Sequence, residues 1–432
     1  MKIRTFHTIA GLLAICFAFG VSSAQAQAGS LDTTFGTGGT VTTSFADGVA
    51  GVGAFEQSNG DIVTVAQVNF VNQVGTGIGL VRYTSAGELD TTFGTNGITL
   101  TTFAAIGFDP IGFAVQPNGD FLVGGVVTNK AGLHGFGLTR YTSNGVLDTT
   151  FGSKGLVATK VGSRSDAPSA LLLQPNGQIV MGGFEVAGGQ GAPGMTSLVR
   201  FNANGSLDTT FGKGGISLAS VKFVGPETLA QLANGDYLAV GEDRDFDTGL
   251  VAEFNSKGVL LPNVTSAQIV AGLTSSQSAV HVPNVMFQAP TIFQPNGDYV
   301  VASTSCTFHS ECRGTRIGAG RFLETGKTDT TFNSNLESFN LPQTTSVAEA
   351  AALQANGQIV IGGLISPVEG GMVRLDSNGE LDTTFGTVDS FGICCSVTSD
   401  QTFFGLLIQT DGKIVAIGEL DGSLAVARYL AN

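Results

Sequence analysis

The chain is 432 residues long, with 20 Lys+Arg against 34 Asp+Glu, a formal charge of −14 and 42% hydrophobic residues. That acidity argues against nucleic acid and anionic membrane surfaces as partners, and the apolar content argues against disorder. Gly, at 62 residues, is about twice its average share and charged residues, at 12%, about half theirs, a composition suited to many tight turns.

The N-terminus reads as a leader. Lys2 and Arg4 precede an apolar run from Ile9 to Val21, and Ala24-Gln25-Ala26 supplies the small-x-small pattern at which a secretory signal peptide is cut. The run falls short of the ~20 apolar residues of a membrane span, and no later segment approaches that length. Cys16 follows Ile15 where a lipidation site has a small residue. The expectation is a signal peptide over 1–26 and a mature chain over 27–432, periplasmic or secreted, with no membrane span. Beyond the leader no apolar pattern has the helical period, so almost no helix is expected.

From residue 31 onward the sequence repeats itself. LDTTFG begins at Leu31, Leu89, Leu147, Leu207 and Leu381, with a worn copy, TDTTFN, at Thr328 and a nearly erased one, LLPNV, at Leu260. A Gly preceded by Asn or Asp recurs at Gly60, Gly119, Gly177, Gly235, Gly297, Gly357 and Gly412. An Arg after small apolar residues recurs at Arg82, Arg140, Arg200, Arg321, Arg374 and Arg428, with Glu253 in the fourth place. Each unit reads as four strands. In the second, Ile111 to Gln116 precedes the Pro117-Asn118-Gly119 turn, Phe121 to Val127 returns, Gly137 to Tyr141 makes a third strand, and Ser143-Asn144-Gly145 turns into a fourth beginning at Leu147. Asn-Gly between apolar runs is a strong hairpin signal, because the turn needs positive φ.

The phase of the repeat distinguishes a ring from a linear stack. The chain enters with an orphan fourth strand at Leu31 and ends with three strands finishing at Tyr429, so the missing piece at one end is the surplus at the other. The expected fold is all-β: a single seven-bladed β-propeller of four-stranded blades, closed by pairing the N-terminal strand into the last blade. The LDTTFG string with its trailing Q-P-N-G-(D/Q)-I-V-x-G-G pattern resembles the delta-60 repeat family, and the Arg-Tyr-x-x-x-Gly-x-Leu turn is similar to the NHL repeat. This resemblance covers the mature chain and implies an exported bacterial propeller. It breaks in the fourth unit, where Leu232, Glu253 and Leu261 replace the expected Gln, Arg and Asp.

The repeated charges lie eight residues apart: Arg82 with Asp90, Arg140 with Asp148, Arg200 with Asp208, Arg321 with Asp329 and Arg374 with Asp382. A three-residue hairpin loop sets such positions opposite each other. The fourth unit loses both partners together. Arg428 and Asp32 are left over at opposite ends of the chain, and are expected to pair as the closing copy of the contact, marking register at an exposed pair's ~0–1 kcal/mol. The six LDTTFG-position Phe are expected to be core wedges.

Residues occurring once in the chain are the better candidates for function, and they fall where spacing varies. From the hairpin Gly to the third-strand Arg the step runs from 16 residues (Gly412 to Arg428) to 24 (Gly297 to Arg321), so the connections of that face differ in length. Asp243, Asp245 and Asp247 alternate as Ca²⁺ ligands do, but Thr248 stands where an EF-hand loop needs Gly and no Glu follows at the twelfth position, so a solvated acidic loop is the plainer reading. His134, His281 and His309 all fall in variable segments without metal-ligand spacing. Cys306 and Cys312 are expected to bridge a loop tip, and Cys394 with Cys395 completes an even count whose connectivity stays open. Gly189-Gln190-Gly191-Ala192-Pro193-Gly194 and Gly326-Lys327-Thr328 imitate nucleotide loops without the strand-to-helix context. No catalytic residue and no cofactor is indicated, calcium at the Asp243 loop being the exception named. The function expected is a non-catalytic binding or scaffold module for a protein or cell-envelope partner. The alternative is a lyase or hydrolase, metal-assisted, with an axial site on the variable face.

Overall fold

Runs of β-branched and apolar residues cut by Asn-Gly turns have one stable outcome, antiparallel hairpins stacked face to face. The computed structural model describes residues 27–45, 48–69, 76–103, 106–162, 165–185, 195–220, 223–243, 249–262, 291–306, 315–324, 329–332, 347–364, 370–386, 396–399 and 402–431. After β1 (Thr40–Ser44), blade 1 comprises β2 (Val49–Glu56), β3 (Ile62–Asn69), β4 (Thr76–Tyr83) and β5 (Ile98–Thr101). Blade 2 is β6 (Gly107–Val115), β7 (Phe121–Thr128), β8 (His134–Tyr141) and β9 (Leu156–Thr159). Blade 3 is β10 (Asp166–Leu173), β11 (Ile179–Glu185), β12 (Met195–Phe201) and β13 (Ile216–Ala219). Blade 4 shows β14 (Phe223–Gln231), β15 (Tyr237–Asp243) and β16 (Gly249–Phe254), and blade 5 shows β17 (Thr291–Phe293), β18 (Tyr299–Cys306) and β19 (Thr315–Phe322). Blade 6 is β20 (Val347–Leu353), β21 (Ile359–Leu364), β22 (Gly370–Leu375) and β23 (Ser396–Ser399). Blade 7 is β24 (Thr402–Ile408), β25 (Ile414–Leu420) and β26 (Ser423–Tyr429).

The chain is a seven-bladed β-propeller closed by its N-terminal strand. β1 runs antiparallel to β26, in register from Thr40 opposite Ala427 to Ser44 opposite Ser423, and so supplies the fourth strand of blade 7. No helix appears among the described residues, and none there is long and apolar enough to cross a membrane. The worn fourth unit keeps its blade, with β14, β15 and β16 paired in order. The first strands β2, β6, β10, β14, β20 and β24 pack against the preceding blade, and each carries a β-bulge, at Gly51/Gly53, Pro110/Gly112, Pro168/Ala170, Pro226/Thr228, Ala348/Ala350 and Phe403/Gly405. A bulge sharpens the right-handed twist, which lets flat-sided blades fan around an axis.

One boundary differs from the sequence reading. LDTTFG does not begin the fourth strand: Leu147 makes a single bridge to Tyr141, the chain turns, and the strand starts only at Leu156. Likewise Leu31 bridges Tyr429, nine residues before β1 begins at Thr40. The reason is local. Asp148 Oδ1 accepts the Thr150 amide at 2.9 Å and its hydroxyl at 2.6 Å, which bends the backbone out of extension. Gly152 then sits at φ +59°, where a Cβ would meet the Leu156 carbonyl oxygen at 2.5 Å.

Candidate functional site

The two faces of the ring are built differently. On one face, the connection from first to second strand is five residues in all seven blades: 57–61, 116–120, 174–178, 232–236, 294–298, 354–358 and 409–413. On the same face, the third-to-fourth connection is 14 residues in blades 1, 2 and 3 (84–97, 142–155 and 202–215). On the opposite face the second-to-third connections are 70–75, 129–133, 186–194, 244–248, 307–314, 365–369 and 421–422, which is two to nine residues. The shortest, Asp421-Gly422, is a hairpin turn with both residues at positive φ, +51° and +75°.

The constant face is held by a side-chain clasp. In six blades the third-strand Arg donates through Nε to the LDTTFG Asp at 2.7–2.9 Å: Arg82 to Asp90, Arg140 to Asp148, Arg200 to Asp208, Arg321 to Asp329, Arg374 to Asp382 and Arg428 to Asp32. Each guanidinium lies over the ring of the Phe three residues beyond its Asp, with its carbon 4.6–4.9 Å from the centroid: Phe93, Phe151, Phe211, Phe332, Phe385 and Phe35 in the same order. Its far end then crosses to the next blade. Arg82, Arg140, Arg200 and Arg321 donate through Nη1 to the carbonyls of Ser143, Ala203, Ser256 and Ser377 at 2.8–3.3 Å, Arg374 reaches Ala431, and Arg428 reaches Ser85 of blade 1.

These pairs are not the exposed contacts that the sequence suggests. Arg428 and Asp32 keep side-chain exposures of 6% and 5%, because the following blade's turn covers them. The Phe completes the cover: a Cβ on Gly145 of blade 2 would lie 2.3 Å from Cζ of Phe93 in blade 1. Burial pushes the Asp32 carboxyl up, but the Thr34 hydroxyl and amide, Arg428 and Lys413 outweigh it and hold it at about 2. Hydrogen bonds from the Thr92 and Thr150 side chains chiefly hold Asp90 and Asp148 below the usual range.

In six blades the residue after the Asn-Gly or Asp-Gly turn takes one of two roles. Asp120, Asp236 and Asp298 accept the amides of Ser143, Ser256 and Glu324 at 2.9–3.2 Å, tying the blade's two turns together. Gln178 and Gln358 instead donate to the clasp carboxylates of Asp208 and Asp382 at 2.7 and 2.8 Å, and Lys413 lies 3.3 Å from Asp32. Sequence reading missed the Phe contact, this choice of role and the reach to the next blade. A signal was present for the Phe: the fourth unit, which loses Arg and Asp, has Val264 at the Phe position too.

Acidic side chains mark the described part of the loop face. Asp166, at the start of β10, is buried and lies opposite Glu185, accepting the amides of Val161 and Gly162 at 2.8 and 2.9 Å. Burial pushes its carboxyl up, those amides pull it down, and Glu185 adds to the rise. Burial likewise raises Glu349, the bulge residue of β20. Asp109 of blade 2 accepts Gln67 Nε2 at 3.1 Å and the Thr76 hydroxyl, both from blade 1.

Of the candidate ligands, His134 is the exposed first residue of β8, its amide donating to Ser165 Oγ at 3.3 Å. Asp243 ends β15 and Cys306 ends β18. His281, His309, Asp245, Asp247, Cys312, Cys394 and Cys395, with the 189–194 and 326–328 segments and the leader, lie outside the described residues. Among the described residues no three His, Cys, Asp or Glu are grouped so as to hold a metal ion.

Four segments, residues 57–93, 116–151, 174–211 and 354–385, match the family model described as "Domain of unknown function (DUF5122) beta-propeller". Each runs from the first-turn Gln to the clasp Phe of one blade, namely blades 1, 2, 3 and 6. No curated protein matches the sequence. Among solved structures the chain is similar to the β-propeller domain of the Trilobed protease from Pyrococcus furiosus, at 8% identity and TM-score 0.46 over 89% of this chain and 94% of that one. It is also similar to a glucose dehydrogenase (10% identity, TM-score 0.40, 75% and 99%). A GH43 beta-xylosidase/alpha-arabinofuranosidase from a compost microbial metagenome is a third (9%, 0.34, 67% and 98%).

Proposed function

We propose that the chain is an exported, non-catalytic binding or scaffold module that holds a protein or cell-envelope ligand with the loops of one face. The observation carrying this is the contrast in connection length, five residues seven times over on one face against two to nine on the other. A rigid platform with loops of unlike length is how scaffolds present a binding surface. The repeated charges are engaged within and between blades, so the clasp face offers few free groups for chemistry. Export is supported by the leader pattern, and by packing that begins just beyond it: Ala28 is buried in the core of blades 6 and 7, and the Gly29 amide donates to the Leu430 carbonyl at 2.8 Å.

The test replaces residues 186–194 with the two-residue Asp-Gly turn of blade 7 and measures co-sedimentation with purified cell-wall sacculi and with solubilised envelope protein. The expected result is retention of the wild type in one fraction, lost in the variant, at an unchanged melting temperature. Equal retention of both, or turnover of glycoside, ester or peptide substrates by the wild type, would overturn the reading. N-terminal sequencing of secreted protein is expected to begin at Gln27.

A further inference from the structure

The buried core is divided into seven clusters, one at each junction between blades. The cluster between blades 4 and 5 includes Ala230, Leu238, Val240, Tyr299, Val301 and Phe322. The same junction lacks the clasp. Blade 4 has Glu253 where an Arg would cross to blade 5, and Leu261 where its Asp would be, although the backbone bond from the Leu261 amide to the Glu253 carbonyl is kept at 2.8 Å. Burial raises the Glu253 carboxyl, and Asp236 beside it adds to the rise.

The chain-end junction, where a ring closed by its termini would be expected to part, is the opposite case. It has the β1–β26 pairing and Asp32 held by both Arg428 and Lys413. Glu56 of blade 1 adds a further tie, accepting Gln409 Nε2 at 2.9 Å and the Thr410 amide at 2.8 Å from blade 7.

We propose that the ring opens first between blades 4 and 5, which act as a built-in seam, while the junction closed by the chain ends is among the last to part. In a structure where each unit touches only its neighbours, stability is a sum over junctions, and the junction that no third-strand guanidinium bridges sets where opening begins.

The experiment is amide hydrogen exchange on the full chain, followed by mass spectrometry. The expected result is that β15 and β18–β19 lose protection together, at least ~10-fold faster than β25, β26 and β1. The variant Glu253→Arg/Leu261→Asp/Val264→Phe rebuilds the clasp and is expected to slow exchange at β15 and β18–β19 while leaving β26 unchanged. Arg428→Ala is expected to do the reverse, raising exchange at β1 and β26. Faster exchange at β1 and β26 than at the seam in the wild type would overturn the proposal, as would equal rates at all junctions. If the rebuilt variant folds and exchanges as the wild type does, the clasp is not what governs opening. That outcome too would overturn the proposal.

Discussion

Blades 3 and 4 are neighbours with the same hairpin register and opposite side-chain chemistry. In blade 3, Arg200 holds Asp208 at 2.7 Å, lies over Phe211, and reaches both the Ser256 carbonyl and the Tyr237 hydroxyl of blade 4. In blade 4, Glu253 and Leu261 occupy the two charged positions, yet Leu238 still pairs with Glu253 in the ladder and the turn bond survives. Blade 4 thus receives a clasp from behind and offers none ahead. The backbone pattern of a blade and the linkage between blades are therefore separable: turns and apolar runs make the first, and three side chains per unit make the second.

The contrast breaks most sharply at the third-strand charge. Arg200→Ala leaves Asp208 buried without its partner and is expected to cost ~3–5 kcal/mol in guanidinium unfolding. Glu253→Ala at the same place in blade 4 is expected to change stability by no more than ~0.5 kcal/mol, since it ends no ion pair. A similar loss from both would mean that the clasp is decoration.

Acid sharpens the comparison further. Asp32 lies at about 2 against an ordinary 3.8, so its contribution, about 2 kcal/mol, is present above the unfolded value and is lost as pH falls through 2. Asp32→Asn is expected to flatten that part of the stability–pH curve. Glu253 has the opposite sign: its carboxyl is raised, so the strain it adds grows as pH rises through its folded value. Glu253→Gln should remove that slope, and an unchanged slope would show that the group is fully solvated.

Gly258, in the blade 4 turn, tests the receiving side. It has φ +82°, and a Cβ there would lie 2.5 Å from Cζ of Phe211. Gly258→Ala is expected to cost ~1–3 kcal/mol by thermal melt, showing that blade 4 is clasped from behind. The smallest effect is at the residue after Asn-Gly: Gln178→Asp ends the 2.7 Å bond to Asp208 and is expected to cost ~1 kcal/mol.

The units and their phase are legible in the chain before it folds. Asn-Gly turns, period-two apolar runs and the eight-residue Arg–Asp spacing are local signals, and local chemistry is what a hairpin obeys. Asp32 and Arg428 could be matched across the whole chain because the repeat left one of each over. Where the fourth strand starts was misread, since Asp148 binding its own Thr150 bends a stretch whose composition reads as extended. Other features were decided only by tertiary structure. Arg82 meets the Ser143 carbonyl 61 residues away, and Arg428 meets Ser85 343 residues away, so no window of sequence contains both ends of the clasp. The burial of these pairs, and with it their energetic weight, exists only once the following blade's turn closes over the guanidinium and excludes water from it.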